Sequence, residues 1–278
     1  MIIDFHTHTF PDKIAHMAIE KLKSASHTRA FTGGTENELL SSMNSLGIRK
    51  SVVLPVATNL DKIQHINDIS AQKNEDGALI YFAAMHPDFE NAREEIRRIK
   101  NMGIKGIKLH PVYQGIDFDD VRTLRILEYA EENDLITVTH AGLDVGFPGV
   151  ERCTPKMIKN AVGAVHPKRL VLAHMGGWKM WQESADMLCG ENLFIDTSFS
   201  IGKMVQETPY YSEEELKLLD FNEAVKIIDA FGEDNVLFGT DSPWSDQKDS
   251  LLNILHLPVS DEAKEKILYK NAVRLLGI

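Results

Sequence analysis

The chain is poor in cysteine. Cys153 and Cys189 are its only two and form no CxxC pair, so neither a disulfide framework nor a zinc ribbon accounts for its stability. Sparse, unpaired cysteine fits a reducing compartment, and a cytoplasmic location is expected. No apolar run approaches the ~18–20 residues of a membrane span. The opening Met1-Ile2-Ile3-Asp4-Phe5-His6 also lacks the charged-then-apolar pattern of a signal peptide. Basic runs are missing too; the nearest, Arg97-Arg98 with Lys100, sits in a helical pattern. With 30 Lys and Arg against 41 Asp and Glu, the formal charge is −11. Such a field repels nucleic acid and anionic membrane, and neither is expected as a partner. No linker, low-complexity tract or repeat divides the 278 residues, so one domain over 1–278 is expected.

What is present alternates. Short β-rich runs lie at 2–8, 51–56, 79–85, 104–110, 135–140, 169–174, 193–197 and 236–241. Helical patterns such as NAREEIRRIKNMG and FNEAVKIIDAFG fill the gaps. Eight strand–helix units at this length predict an α/β protein of the (β/α)8 TIM-barrel class. An open doubly wound sheet calls for a Gly-rich first turn, whereas the first turn here holds histidines. The connections 9–50, 141–153 and 198–222 are long and follow strands, so they fall on the carboxyl-end face where barrel sites form. Within the last, SFSIGKMVQETPYYSEEE reads either as a lid or as a surface loop.

Residues two apart on a strand share a face. That spacing groups Ile2, Asp4, His6 and His8 toward the barrel axis and leaves Ile3, Phe5 and Thr7 for the helix layer. His140 closes the fifth strand, His174 the sixth and Asp241 the eighth. The same alternation joins Leu170 and Leu172 to His174, and Leu237 and Gly239 to Asp241. Closure of the barrel places the eighth strand beside the first. Five metal-competent side chains at carboxyl ends of strands point to a metal centre. Each also has an ordinary reading: an N-cap for Asp241, a buried hydrogen-bonded ring for His140, a donor to a backbone carbonyl for His174. Lys108 and His110 share the inward face with Gly106, which makes them candidates for substrate contact or for a second ion. Asp196 ends the seventh strand facing an undetermined way, and support of a ligand or an N-cap would both fit.

The DFHTH opening, GIKGIKLHPVYQG, THAG, LAHMGGW, FGTDSPW and the closing KNAVRLLG run nearly end to end. In these the chain resembles the amidohydrolase superfamily, in the branch of aminocarboxymuconate-semialdehyde decarboxylase. The resemblance implies one divalent ion, zinc first and manganese next, held by His6, His8, His140 and Asp241. It gives His174 the orientation of a reacting water or the polarisation of substrate, and Asp241 the proton transfer. In other branches a lysine at the position of Lys108 is carboxylated and bridges two ions; the GxKLHP pattern resembles the mononuclear branch, which leaves Lys108, His110 and Trp178 for substrate binding or support.

The expected activity is hydrolysis of a small lactone, amide or ester. Non-oxidative decarboxylation of a small carboxylated compound is the alternative, and a non-catalytic metal-binding barrel the third reading. A decarboxylase needs a cation for its substrate, for which Arg29, Arg152 and Lys203 on the long loops are candidates. Phe147, Tyr210, Tyr211, Trp178, Trp181 and Trp244 are the aromatics expected to flank the pocket. The partner is a small molecule, and relatives of this kind suggest a homodimer.

Overall fold

The computed structural model describes residues 1–74 and 77–278. Its strands are β1 (Ile3–Thr7), β2 (Lys50–Val53), β3 (Leu79–Tyr81, carried on by Ala83–Ala84), β4 (Gly106–Leu109), β5 (Ile136–Thr139), β6 (Leu170–Leu172), β7 (Phe194–Asp196) and β8 (Val236–Leu237). Each pairs in parallel with the next, and helices fill the connections. The ring closes between β8 and β1. There Phe5 N–H donates to the Phe238 carbonyl at 2.7 Å, Asp241 N–H to that of His6 at 2.8 Å, and His8 N–H to that of Ser242 at 2.7 Å. The expected (β/α)8 barrel is therefore what the chain forms. Its strands are shorter than the apolar runs suggested, because their carboxyl ends peel out of the ladder to build the loops. Among the described residues, no helix is long and apolar enough to cross a membrane.

Two cores follow from the alternation. Ile3, Phe5, Val52, Leu54, Ile80, Phe82, Ile136, Val138, Val171, Phe194 and Leu237 pack together in the interior, where Ala272, Leu275 and Leu276 of the helix Asn271–Leu276 join them. Ile107, Leu109, Leu170, Leu172 and Ile195 instead pack against the helix layer. Gly106 faces inward; a Cβ there would lie 2.4 Å from the Phe82 ring, so the barrel closes only with glycine at that point.

This corrects two expected faces. Ile3 and Phe5 point into the barrel, not toward the helices, because β1 carries a bulge. Asp4 pairs with Ser51 and Thr7 with Val53, so three steps along β1 match two along β2. The extra residue resets the phase: Asp4 faces out, yet His6 faces in. In β6 the inward residue is Val171, not Leu170 or Leu172. His174 reaches the interior because His174 and Met175 take left-handed conformations, with φ 60° and 56°.

Outside the barrel, Asp4 fastens the bulge to the β8 loop. Its carboxylate accepts from His6 N–H (3.2 Å), Thr240 N–H (3.0 Å), Thr240 Oγ1 (2.6 Å) and Gln247 Nε2 (2.8 Å). Burial raises its pKa from 3.8 to about 7, the four donated bonds offsetting only part of that. A folded-state pKa above the unfolded one means stability present below about pH 4 and lost as pH rises toward 7, by about 4 kcal/mol at most. Asp4→Asn removes this titration. The melting-temperature difference, wild type minus variant, should therefore shrink between pH 5 and pH 8 in chelator-treated protein; a difference constant with pH would contradict the argument.

Candidate metal centre and active site

The carboxyl end of the barrel gathers imidazoles whose N–H groups all point away from its centre. His6 Nδ1–H donates to Asp196 Oδ2 at 2.8 Å and His8 Nδ1–H to the Leu54 carbonyl at 2.8 Å. His140 Nε2–H donates to the Leu143 carbonyl at 2.9 Å, and His174 Nδ1–H to that of Ser198 at 3.1 Å. With each proton committed to an acceptor, the tautomers follow. His6 Nε2, His8 Nε2, His140 Nδ1 and His174 Nε2 are left as lone pairs that face one another in two pairs; donor atoms of His6, His8 and Asp241 lie within 4.8 Å of one another, and His140 falls outside that group. His6 Nε2 and His8 Nε2 lie 3.2 Å apart, and His140 Nδ1 and His174 Nε2 lie 3.0 Å apart. Asp241 Oδ1 adds negative charge 3.1 Å from His8 Nε2 and 3.4 Å from His6 Nε2.

Lone pairs and a carboxylate at hydrogen-bond spacing without protons between them repel unless a cation sits among them. The residues fit a metal ion. Ligands ~2.0–2.1 Å from a tetrahedral centre stand about 3.4 Å from one another, which the His6, His8 and Asp241 spacings approach. Outward N–H groups anchored on carbonyls and a carboxylate are what metal-binding imidazoles require. His140 stands one ring further round, its centroid 4.8 Å from that of His174, which is in turn 5.3 Å from that of His6.

Electrostatics agree. Burial lowers the pKa of His6 and of His140, with the nearby Lys108 charge adding to both, and pushes that of His174 down to about 3, with His140 and His6 adding to it. All three are neutral, as ligands must be. Burial works to raise the Asp241 carboxyl, but the three imidazoles around it, His8, His6 and His174, outweigh burial and hold the carboxyl low. Lys108 is fully buried with Nζ 3.3 Å from His6 Nε2. Burial lowers its pKa to about 8, against the pull of Asp196 and Asp241.

A second cluster, His110, His140 and Asp144, is built differently. His110 Nδ1 accepts from Tyr113 N–H at 3.5 Å, so its Nε2 carries the proton and turns it toward Asp144 Oδ2, 3.5 Å away. His140 Nε2, whose proton goes to the Leu143 carbonyl, lies 3.8 Å from the same oxygen. A proton facing a carboxylate satisfies it without an ion. His110 also stacks between Tyr113 and His140, with centroids at 4.0 and 4.4 Å. It holds the plane of His140.

The sequence matches the amidohydrolase family model over residues 3–278. The chain belongs to the amidohydrolase family. A search of curated proteins finds no match. Among solved structures, this amidohydrolase is similar to a 5-carboxyvanillate decarboxylase from Sphingomonas paucimobilis, at 15% identity over 100% of this chain and 99% of that one, with a TM-score of 0.70. It is similar to a dihydroxybenzoic acid decarboxylase from Polaromonas sp. JS666 with bound manganese and 2-nitroresorcinol, at 15% identity, 99% and 96% coverage, and a TM-score of 0.66. A putative 2-pyrone-4,6-dicarboxylic acid hydrolase from Pseudomonas putida shares 17% identity over 99% and 97% of the two chains, with a TM-score of 0.65. At these identities the likeness is one of fold.

The loops of this amidohydrolase place the other expected residues. Trp178 packs with Phe199, Met204 and Leu216, and Trp181, Tyr211 and Trp244 border them, so four of the six expected aromatics share one apolar cluster. Phe147 is partly exposed beside Tyr113, and Tyr210 is exposed and stacked on His27. The 198–222 connection is pinned over the mouth: Thr28 bridges Gln206, and Arg29 N–H donates to the Val205 carbonyl at 2.9 Å. The three cations proposed for a substrate carboxylate lie elsewhere. Arg29 is exposed and packs 5.3 Å from the Phe31 ring centroid, Arg152 pairs with Asp117 at 2.7 Å, and Lys203 with Glu213 at 2.7 Å.

Asp196, open between supporting a ligand and capping a helix, and Ser198, which no motif marks, are both central. Asp196 Oδ1 accepts from His174 N–H at 3.1 Å and from Ser198 N–H at 3.0 Å, and also from the Ser198 hydroxyl. Gly239 lies against both His6 and Asp196, with a Cβ there only 2.9 Å from His6 Cβ. Removing a carboxylate behind a ligating imidazole costs about 10–100-fold in metal affinity. Asp196→Asn should show that loss for zinc in a competitive chelator titration; unchanged affinity would mean the His6 proton is not what prepares Nε2.

Proposed function

We propose that this amidohydrolase is a metal-dependent, non-oxidative decarboxylase of a small carboxylated compound, with one divalent ion held by His6, His8, His140 and Asp241. The convergence of imidazole lone pairs around the Asp241 carboxylate carries the reading. Three imidazoles and one carboxylate suit zinc, and the manganese of the Polaromonas relative supports that ion as the alternative. When bound, the ion supplies positive charge that anchors and polarises a carboxylate or carbonyl oxygen.

The chain's own groups do the rest. Lys108 Nζ, buried beside His6, binds the carboxylate that will leave. His174, tethered through Nδ1–H, keeps Nε2 turned to the reacting atoms. As the carbon–carbon bond breaks, its electron pair stays on the substrate carbon, which takes a proton, and CO2 departs. Asp241 is held ionised by its neighbours, so it carries that proton only in transit, from substrate or water to carbon. His110 and Asp144 fix the plane of His140, and the roof around Trp178 excludes water. The two free cysteines are in keeping with the cytoplasmic setting expected.

Hydrolysis of a lactone, amide or ester uses the same donors, with Asp241 taking a proton from water and returning it to the leaving group. The Pseudomonas putida relative supports it as the second reading. Decarboxylation stands ahead because two of the three named relatives are decarboxylases, and because Lys108 supplies within the site the cation that no loop arginine does.

The protein as purified should hold about one ion per chain, and His6→Ala, His140→Ala and Asp241→Ala should each lose it. With zinc or manganese, carboxylated aromatics should release CO2, and chelation should stop the release. Lactone opening without CO2 would favour hydrolysis. A bound ion without turnover on either set would favour the non-catalytic barrel.

A further inference from the structure

The roof over the donor cluster has a composition of its own. It rises from the loops that carry the site. Trp178 pairs with the chain just after His140, through its N–H to the Ala141 carbonyl at 2.9 Å, while Leu143 N–H donates back to its carbonyl at 3.0 Å. Phe199 directly follows Ser198, which touches His6 and His174. Around Trp178, Phe199, Met204 and Leu216 the packing is apolar. Two polar tips in this shell have acceptors: Trp181 Nε1 donates to the His174 carbonyl at 2.9 Å and the Tyr211 hydroxyl to the Ser26 carbonyl at 2.7 Å. Trp178 Nε1 does not. The residue is only 8% exposed, and its indole N–H is sealed from solvent with no acceptor among the described residues. A buried donor without a partner is uncommon and marks a place where a ligand oxygen belongs. Below the roof, Lys108 is the one buried lysine or arginine among the described residues.

We infer that the roof selects the substrate: a flat compound bearing a single carboxylate, directed down to Lys108 and the metal, and a neutral oxygen that accepts from Trp178 Nε1–H. A second carboxylate would have to lie under Trp178, Phe199, Met204 and Leu216, where burying charge is unfavourable; Lys179, whose Nζ lies 5.6 Å from the Trp178 ring centroid, is committed to the Glu215 and Lys217 carbonyls. Entry under the roof parts Trp178 from Phe199 and brings the missing acceptor with it. This rests on the decarboxylase reading and deepens it by naming the substrate class. It makes Trp178 a specificity-determining residue.

Binding to the zinc-loaded full chain tests the inference by calorimetry, with benzoate, the three monohydroxybenzoates and isophthalate as probes. At least one hydroxybenzoate should bind about tenfold more tightly than benzoate, and isophthalate should bind at least tenfold more weakly than that isomer. Trp178→Phe should remove the hydroxyl's advantage, leave benzoate affinity within about twofold, and leave zinc content unchanged. Rescue of shape by Phe separates a lost donor from a collapsed roof. Isophthalate binding as well as the hydroxybenzoate, a Trp178→Phe loss equal for benzoate and hydroxybenzoate, or no binding by any probe would each overturn the inference. Zinc content measured on the same samples shows whether the metal reading falls with it: one ion per chain with no selectivity sinks only the roof, and no ion sinks both.

Discussion

Four imidazole N–H groups turned outward are the constraint on which the site depends. Each is anchored on something the barrel already supplies: the Asp196 carboxylate for His6, and the carbonyls of Leu54, Leu143 and Ser198 for His8, His140 and His174. Anchoring fixes the tautomer and leaves unprotonated nitrogens crowded together beside Asp241. Lys108 Nζ, 3.3 Å from His6 Nε2, relieves part of that crowding, and a divalent ion would relieve the rest. Comparison with the His110–Asp144 pair shows how much the proton's direction decides. The same residue types at similar spacing, with a proton turned inward, make a self-sufficient cluster that supports His140.

Backbone devices bring the nitrogens there. A bulge in β1 lets Asp4 face out and His6 face in, although only one residue separates them. Left-handed residues, His174 and Met175 after β6 and Asp241 at φ 65°, bend the chain where a regular strand would have continued. For non-glycine residues such conformations are costly and persist only when the surroundings impose them. Here the surroundings are the Asp4 hydrogen bonds to Thr240 and Gln247 on one side and Asp196 on the other. Stability is thus spent next to the site, and the apolar interior and the plug formed by Ala272, Leu275 and Leu276 offset it.

Much of this was legible before any coordinates. Eight β-rich runs separated by helical patterns specify the barrel, because strand length and helical period are local properties. His6, His8 and Asp241 lie together, with β8 beside β1. Two faces were misassigned for one reason: strict alternation cannot register an inserted residue or a left-handed turn. Asp196 was readable in part, since it sits two residues from Phe194, which packs in the interior. Leu54, Leu143 and Ser198 contribute carbonyl oxygens, and every residue type has one, so no sequence signal marks them. Arg29, Arg152 and Lys203 were assigned by loop position alone, and loop position does not determine where a long charged side chain points.

Where an ion binds decides the chemistry of the site. Anomalous diffraction from crystals grown with zinc measures that directly. The account predicts one strong peak at ~2.0–2.1 Å from His6 Nε2, His8 Nε2 and His140 Nδ1 with Asp241 completing the shell, and none between His110 and Asp144. A peak at His110, His140 Nε2 and Asp144, or no ordered zinc among the four imidazoles, would contradict it.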